Sequence, residues 1–165
     1  KAKELIQVFS QIAKKYDYNF AFKLQYRNID SCIHKSQQSA DIPIIRRYIN
    51  TALTWEEYYE IKQAIDESGA ISICTPFDEE SVDKIVEHGY DIIKVPSCYF
   101  REWVLLEKIA TTDLPIIAST GGWELPDIDD VVTFFEHRDK DFALMHCVAE
   151  YPMAWDNAQL DFIRV

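Results

Sequence analysis

Phe20-Ala-Phe-Lys-Leu-Gln25 is a short apolar run that carries Lys23 and Gln25 at alternate positions and gives way to the polar Arg27-Asn-Ile-Asp30. The same design recurs in Ala70-Ile-Ser-Ile-Cys-Thr75-Pro-Phe77 and Asp91-Ile-Ile-Lys94-Val-Pro-Ser97. Leu114-Pro-Ile-Ile-Ala-Ser119-Thr-Gly121 and Phe142-Ala-Leu-Met-His146-Cys147 repeat it again. Apart from a longer first interval, stretches of roughly twenty residues with helical patterning separate the runs, and strand, helix, strand at that spacing marks parallel βα units. In such folds function sits at the carboxyl ends of the strands. Lysine, glutamine, threonine, serine and histidine collect at those ends here.

Working outward, Lys1 to Lys15 reads as an amphipathic helix with Leu5, Ile6, Phe9 and Ile12 on one stripe. Asn28 to Asn50 is polar and irregular, includes Ser36-Gln-Gln-Ser39, and reads as an excursion between a strand and the next helix. That helix opens with the capping box Thr54-Trp-Glu-Glu57 and closes at Gly69. Asp78-Glu-Glu-Ser81 opens another, stopped by Gly89; the acids there complement the helix dipole. Further helices are expected over about Trp103 to Ala110, over Asp127 to Phe135 after Pro126, and from near Asn157.

Parallel strands in this number form either an open doubly wound sheet or most of an eight-stranded barrel. No GxGxxG or GxxxxGKS/T loop follows any strand, which weakens a nucleotide-binding reading. A (β/α)8 barrel usually takes about 250 residues, and the chain has 165. The preferred reading is therefore α/β: an incomplete (β/α)8 TIM barrel, with residues 1–165 forming a single partial catalytic domain that holds about strands 2–6 and their helices. Its first strand and last strands are absent, and Lys1 in place of a starting methionine points to a longer parent polypeptide.

A hydrophobic content of 48% is ordinary for a globular chain, and no apolar run approaches the roughly 18 residues of a membrane span. The formal net charge of -11 argues against a nucleic-acid groove while leaving room for a local basic pocket. Cys32, Cys74, Cys98 and Cys147 are widely spaced without a CxxC pair, which disfavours a disulfide framework or zinc site and fits a reducing cytoplasm. A catalytic Cys147 beside His146 is disfavoured, because adjacent strand residues point to opposite faces.

Alternation places Lys23 and Gln25 on one strand face, plausibly the barrel interior, where a lysine is costly unless it meets an anion or a carboxylate. A structural ion pair is the plainer alternative. Lys94 repeats the arrangement, and hydroxyls of Thr75, Ser97, Ser119 and Thr120 join it to make a phosphate or carboxylate site. The Gly121-Gly122 turn would bring backbone N–H groups close to an anion. His146 ends the last run as either a site residue or a hydrogen-bonded core histidine, with Glu150 and Tyr151 just beyond. His34, His88 and His137 read as solvated surface, and the absence of HxH or HxxxH pairs leaves no self-sufficient metal site. Trp55, Trp103, Trp123 and Trp155 lack regular spacing, so a stacking platform is unsupported, although Trp123 and Trp155 follow strand ends.

Taken in order, Phe22-Lys-Leu-Gln25, Cys74-Thr-Pro-Phe-Asp-Glu-Glu-Ser-Val-Asp83, Ile93-Lys-Val-Pro-Ser97, Pro115-Ile-Ile-Ala-Ser-Thr-Gly121 and Leu144-Met-His-Cys-Val-Ala-Glu-Tyr-Pro152 make the chain resemble the sialic acid synthase family, the N-acetylneuraminate synthase-like barrels. The resemblance implies a transferase that condenses phosphoenolpyruvate with an N-acetylated amino sugar in its open aldehyde form, giving a 2-keto acid and inorganic phosphate. It implies a divalent metal, Mn or Mg, that polarises the aldehyde, with ligands on later strands outside this chain. By position, Lys23 and Lys94 would bind phosphoenolpyruvate, with Thr75, Ser97, Ser119 and Tyr151 hydrogen-bonding its phosphate. Gln25 would lie beside the reacting carbons, and His146 joins Lys23 and Gln25 in the candidate catalytic set. Family members are often homodimers.

The chain departs from the family pattern at Tyr99, where a glutamate normally contacts the acceptor, and at Ala149, where asparagine is common. The donor half of the site is thus kept and the acceptor half altered. The leading expectation is a cytoplasmic synthase of this kind, inactive as the fragment alone. The alternatives are a non-catalytic barrel that binds a phosphorylated sugar or a partner protein, and a synthase that uses a sugar phosphate. The last would need an extra basic site, for which Arg27, Arg46 and Arg47 are the candidates.

Overall fold

The computed structural model describes residues 1–37 and 41–164, and these fall into two compact units, one from Lys1 to Asp91 and one beginning at Ile92. No helix among the described residues is long and apolar enough to cross a membrane.

The first unit opens with α1 (Ala2–Tyr16), which ends on Asp17 in the left-handed conformation. β1 (Ala21–Tyr26) follows, then α2 (Ile29–Cys32), a 3-10 turn at Lys35–Gln37 and α3 (Pro43–Asn50). The Asn28–Asn50 excursion, expected to be irregular, is thus largely helical. The Asn28 side chain caps α2 by accepting from Asp30 N and Ser31 N, and Pro43 opens α3 where its missing N–H costs nothing. Gln38 and Ser39 of the expected polar run lie outside the described residues. α4 (Trp55–Ser68) begins with the capping box read from the sequence: Glu57 N donates to Thr54 Oγ1 at 3.2 Å, and Thr54 N donates to Glu57 Oε2 at 2.9 Å. Gly69, at φ 77°, turns the chain into β2 (Ile71–Pro76), and α5 (Glu79–Glu87) starts behind Asp78, whose side chain accepts from Ser81 N.

β1 and β2 are parallel, with Lys23 opposite Ile73, Gln25 opposite Thr75 and Tyr26 opposite Pro76. Alternation divides them into two faces. Phe22, Leu24 and Tyr26 share one with Ser72 and Cys74. On that face the Tyr26 ring packs 4.4 Å from Tyr58 and 5.5 Å from Trp55 of α4. Lys23, Gln25, Ile73 and Thr75 share the other face.

His88, expected at the surface, is buried instead. It ends α5 directly before Gly89, whose left-handed φ of 72° turns the chain inward. The Tyr90 hydroxyl donates to the Tyr26 oxygen at 3.1 Å, and the Tyr26 hydroxyl donates to His88 Nδ1 at 2.8 Å. Burial drives the Tyr26 and Tyr90 pKa values far up, so the tyrosines stay neutral donors, and burial holds His88 below the usual imidazole range. Glu87 opposes that shift on His88, while Lys84 and Lys62 reinforce it.

The second unit contains β3 (Ile92–Val95), a 3-10 turn at Ser97–Tyr99, α6 (Trp103–Ala110), β4 (Ile116–Ser119), α7 (Leu125–Glu136) and β5 (Phe142–Met145). β4 lies between β3 and β5, and both pairings are parallel. Lys94 stands opposite Ile117, Ala118 opposite Leu144 and Ser119 opposite Met145. Ile93, Val95, Ile116 and Ala118 are buried, as are Leu105, Leu106 and Ile109 of α6 and Val131 and Phe135 of α7. Phe135 also meets Phe142 of β5 with ring centroids 5.4 Å apart. The helix expected from near Asn157 is replaced by two 3-10 turns, Trp155–Asn157 and Leu160–Arg164, separated by Gln159 at φ 48°. Trp155 is 91% exposed, so no apolar face binds this segment into a longer helix.

The hydroxyl relay sets a pH dependence. The folded pKa of His88 lies below its unfolded value, so stability is complete above pH ~6.5 and declines as pH falls through that value. Thermal unfolding is expected to have a lower midpoint at pH 5 than at pH 7. His88→Gln should flatten that slope, and an unchanged slope would remove the relay from the account.

Candidate functional site

In the first unit the carboxyl ends of β1 and β2 are fastened by one carboxylate. Asp78 Oδ2 accepts from Asn28 N at 2.7 Å and Asp78 Oδ1 from Ser81 N at 2.8 Å, so a single side chain ties the exit of β1 to the start of α5. Asn28 Nδ2 in turn donates to Glu80. The Asp78-Glu-Glu acids therefore do more than complement a helix dipole: they clamp two strand exits in register. Lys23 and Gln25 are exposed on the face they share with Thr75. Thr75 itself is fully buried, and its Oγ1 finds no hydrogen-bond partner among the described residues. An orphan hydroxyl of this kind costs about 1–3 kcal/mol, so it either stores a structural cost or awaits a ligand atom.

Arg27 directly follows the end of β1. Its guanidinium is stacked between the Tyr48 ring, 4.1 Å away, and the Phe77 ring, 3.9 Å away. The sequence offers Arg27 only as a candidate for an extra basic site; its stacking was not legible there, because Tyr48 arrives from α3, inside the stretch expected to be irregular.

In the second unit Lys94 is half-buried and lies on the same face as Ile117 and Ser119, and Ser119 is buried. Ser97 opens the turn after β3, where its carbonyl accepts from Trp123 Nε1 at 2.7 Å. Trp123 is therefore a strut between two strand exits. Thr120 Oγ1 donates to the Met145 carbonyl at 3.3 Å, which occupies that hydroxyl. The Gly121 N–H, expected to be open to an anion, donates instead to Cys147 Sγ at 3.1 Å. A β-carbon on Gly121 would lie 2.7 Å from that sulfur, and one on Gly122 would lie 3.2 Å from the Ala149 β-carbon. Glycine at 121 thus serves close packing of the β4 and β5 exits.

His146 follows β5 with its Nε2 2.9 Å from the Ala158 carbonyl and its ring stacked on Phe162, centroids 6.2 Å apart. That bond fixes the tautomer with the proton on Nε2 and leaves Nδ1 as the basic atom. A cavity of about 720 Å³ adjoins it, lined by Trp123, Leu144, Met145 and Phe162 among others. Tyr151 is fully solvent-exposed. The second unit thus gathers Ser119, Thr120, Gly121 and Cys147 at adjoining strand exits and leaves Tyr151 apart from them. Among the described residues no group of three or more His, Cys, Asp and Glu is placed to hold a metal ion.

These contacts yield opposite expectations for two substitutions. Thr75→Val removes the orphan hydroxyl and should leave the unfolding free energy unchanged or raise it by about 1 kcal/mol; a loss above that would reveal a hidden partner. Gly121→Ala forces a methyl into Cys147 and should cost about 1–3 kcal/mol in chemical denaturation, and a variant as stable as the natural chain would overturn the close-packing role.

The family model described as the NeuB family matches residues 11–165. A solved structure of spore coat polysaccharide biosynthesis protein E from Chromobacterium violaceum is 45% identical and superposes with a TM-score of 0.93, covering 99% of this chain and 49% of that one. The N,N'-diacetyllegionaminic acid synthase of Legionella pneumophila is 29% identical over 66% of this chain and 32% of its own length. The N-acetylneuraminic acid synthetase of Leptospira borgpetersenii superposes with a TM-score of 0.81 at 24% identity, covers 99% of this chain and 54% of that one, and speaks for the fold alone. The fold class read from the sequence, α/β of the incomplete (β/α)8 barrel kind, agrees with these neighbours. The chain spans less than half the length of the curated relatives it matches.

Proposed function

The chain belongs to the NeuB family, and from that premise we propose that the whole protein condenses phosphoenolpyruvate with an N-acetylated amino sugar to give a sialic-acid-like 2-keto acid. The observation that carries the reading is the distribution of polar groups at the strand ends. In the first unit Lys23, Gln25 and Thr75 share one strand face; in the second, Lys94 and Ser119 share one, with Ser97 just past the end of β3. The helix-side positions of the same strands, Cys74, Ile93, Val95, Ile116 and Ala118 among them, are buried and mostly apolar.

In this reading Lys23 and Lys94 hold the carboxylate and phosphate of phosphoenolpyruvate, since an ammonium held against an oxyanion makes a strong charge-assisted bond. The hydroxyls of Thr75, Ser97 and Ser119 donate to the phosphate, which would satisfy the orphan Thr75 Oγ1. Tyr151 belongs to the same set only if its loop folds inward, because it stands fully exposed. Gln25 orients the acceptor beside the enol carbon, which attacks the sugar aldehyde and forms the new C–C bond. Water then adds to the resulting cationic carbon, and C–O cleavage expels inorganic phosphate. His146 carries a proton through Nδ1, its Nε2 being committed to Ala158. The Mn or Mg that the resemblance implies finds no fitting ligand cluster among the described residues, and no step here is assigned to it.

The test is phosphate release from phosphoenolpyruvate by the intact protein, with manganese and a panel of N-acetylated aldoses. Release should depend on one sugar and fall at least about 100-fold in Lys94→Ala, the scale set by losing a charged stabiliser. Phosphoenolpyruvate binding with no release for any sugar would replace the synthase with a binding barrel.

A further inference from the structure

We infer that Trp123 is a positioning residue for the donor phosphate: its indole N–H holds the turn that carries Ser97, and thereby sets the separation of the Ser97 and Ser119 hydroxyls. This deepens, and rests on, the synthase reading above. Two hydroxyls from different strands can serve one phosphate only if both are held within about 0.5 Å of their working places.

The sheet fixes one of the two. Ser119 is part of β4 and stands opposite Met145 of β5. Ser97 lies past the ladder: β3 ends at Val95, opposite Ala118, and Ser97 opens the 3-10 turn beyond it. Register therefore places Lys94 and Ser119 but not Ser97. The Ser97 carbonyl accepts from Phe100 N at 3.3 Å and from Trp123 Nε1 at 2.7 Å. The first bond closes the turn on itself, while the second reaches across to the exit of β4. There Trp123 N donates to the Thr120 carbonyl at 3.1 Å, which fastens the indole to the residue directly after Ser119.

The indole bond goes to the Ser97 backbone, so it restrains the residue and leaves the hydroxyl to a ligand. Ring packing does not account for the choice of tryptophan. Phe100 is fully buried with its ring centroid 6.2 Å from that of Trp123, a contact that phenylalanine at 123 would keep. Trp55 and Trp103 pack as rings on Tyr26 and Phe134. Among the described tryptophans, Trp123 alone commits its N–H to a hydrogen bond. Trp123 also walls the cavity beside His146, so a variant that deletes the N–H and keeps a ring separates the bond from the wall.

Calorimetric titration of the intact protein with phosphoenolpyruvate tests this in a double-mutant cycle. Trp123→Phe should weaken phosphoenolpyruvate binding about three- to tenfold, the range of one hydrogen bond. In a Ser97→Ala background the same substitution should change the affinity less than about twofold, because its route to the ligand is gone. In a Ser119→Ala background its full effect should persist, since the β4–β5 ladder and not Trp123 places that residue. A merely structural role would lower the unfolding midpoint and act alike in both backgrounds. The inference is overturned by unchanged affinity in Trp123→Phe, by an effect that survives Ser97→Ala, or by one that Ser119→Ala also erases. If Trp123→Phe does not fold, Trp123→Leu takes its place in the same cycle. Ser97→Ala that binds phosphoenolpyruvate as tightly as the natural chain overturns the inference without either. Phosphoenolpyruvate binding with additive effects in the cycle sinks the positioning role and leaves the synthase. No binding by the natural chain sinks the synthase reading, and the positioning role with it.

Discussion

The period of two along a parallel strand is the constraint from which the rest of this structure follows. Helices must lie against one face of each strand, and that face has to be apolar or internally satisfied. In β3 and β4 it is filled by Ile93, Val95, Ile116 and Ala118, all buried. Lys23, Gln25, Lys94 and Ser119 are thereby sent to the opposite face, whatever they do there. A shift of one residue in β1 would carry Lys23 under α4, where an unpaired ammonium costs several kcal/mol, so register and chemistry are fixed by the same term.

Polar groups on the two faces are treated differently. On the helix side of the first unit several are answered: Tyr90 donates to Tyr26, Tyr26 donates to His88 Nδ1, and Ser72 Oγ donates to Asp91 Oδ2 at 2.7 Å, while the buried Ser81 Oγ of α5 has no partner among the described residues. Burial raises the Cys74 thiol well above its ordinary range, so it behaves there as a small apolar group. On the opposite face Thr75 is as deeply buried as Tyr26, yet its hydroxyl is unanswered. Arg27 adds a second case at the neighbouring strand end, with its Nε orphaned and its plane clamped.

What was legible in the sequence was whatever depended on neighbours along the chain. Strand alternation, the Thr54–Glu57 capping box, the Gly69 stop and the Asp78 cap all rest on residues within a few positions of each other, and all are present in the structure. Pro126 was read as lying just before a helix and is instead inside the first turn of α7, a shift of the kind expected at helix ends. The failures are long-range. His88 looks like a surface residue until Tyr26, sixty-two positions earlier, is placed against it. The Gly121 N–H looks open to an anion until Cys147 Sγ closes on it. Local pattern specifies elements; which donor meets which acceptor is settled by the fold.

That division bears on how specificity can change in such a scaffold. The strand-borne groups Lys23, Gln25 and Lys94 have their facing set by strand register. Arg27, Tyr99 and Ala149 lie beyond strand ends, in turns whose geometry is maintained separately by Asp78, by the Trp123–Ser97 bond and by the Gly121–Cys147 contact. Tyr99, in the turn after β3, and Ala149, past β5, thus stand apart from the strand positions that carry Lys23, Gln25 and Lys94.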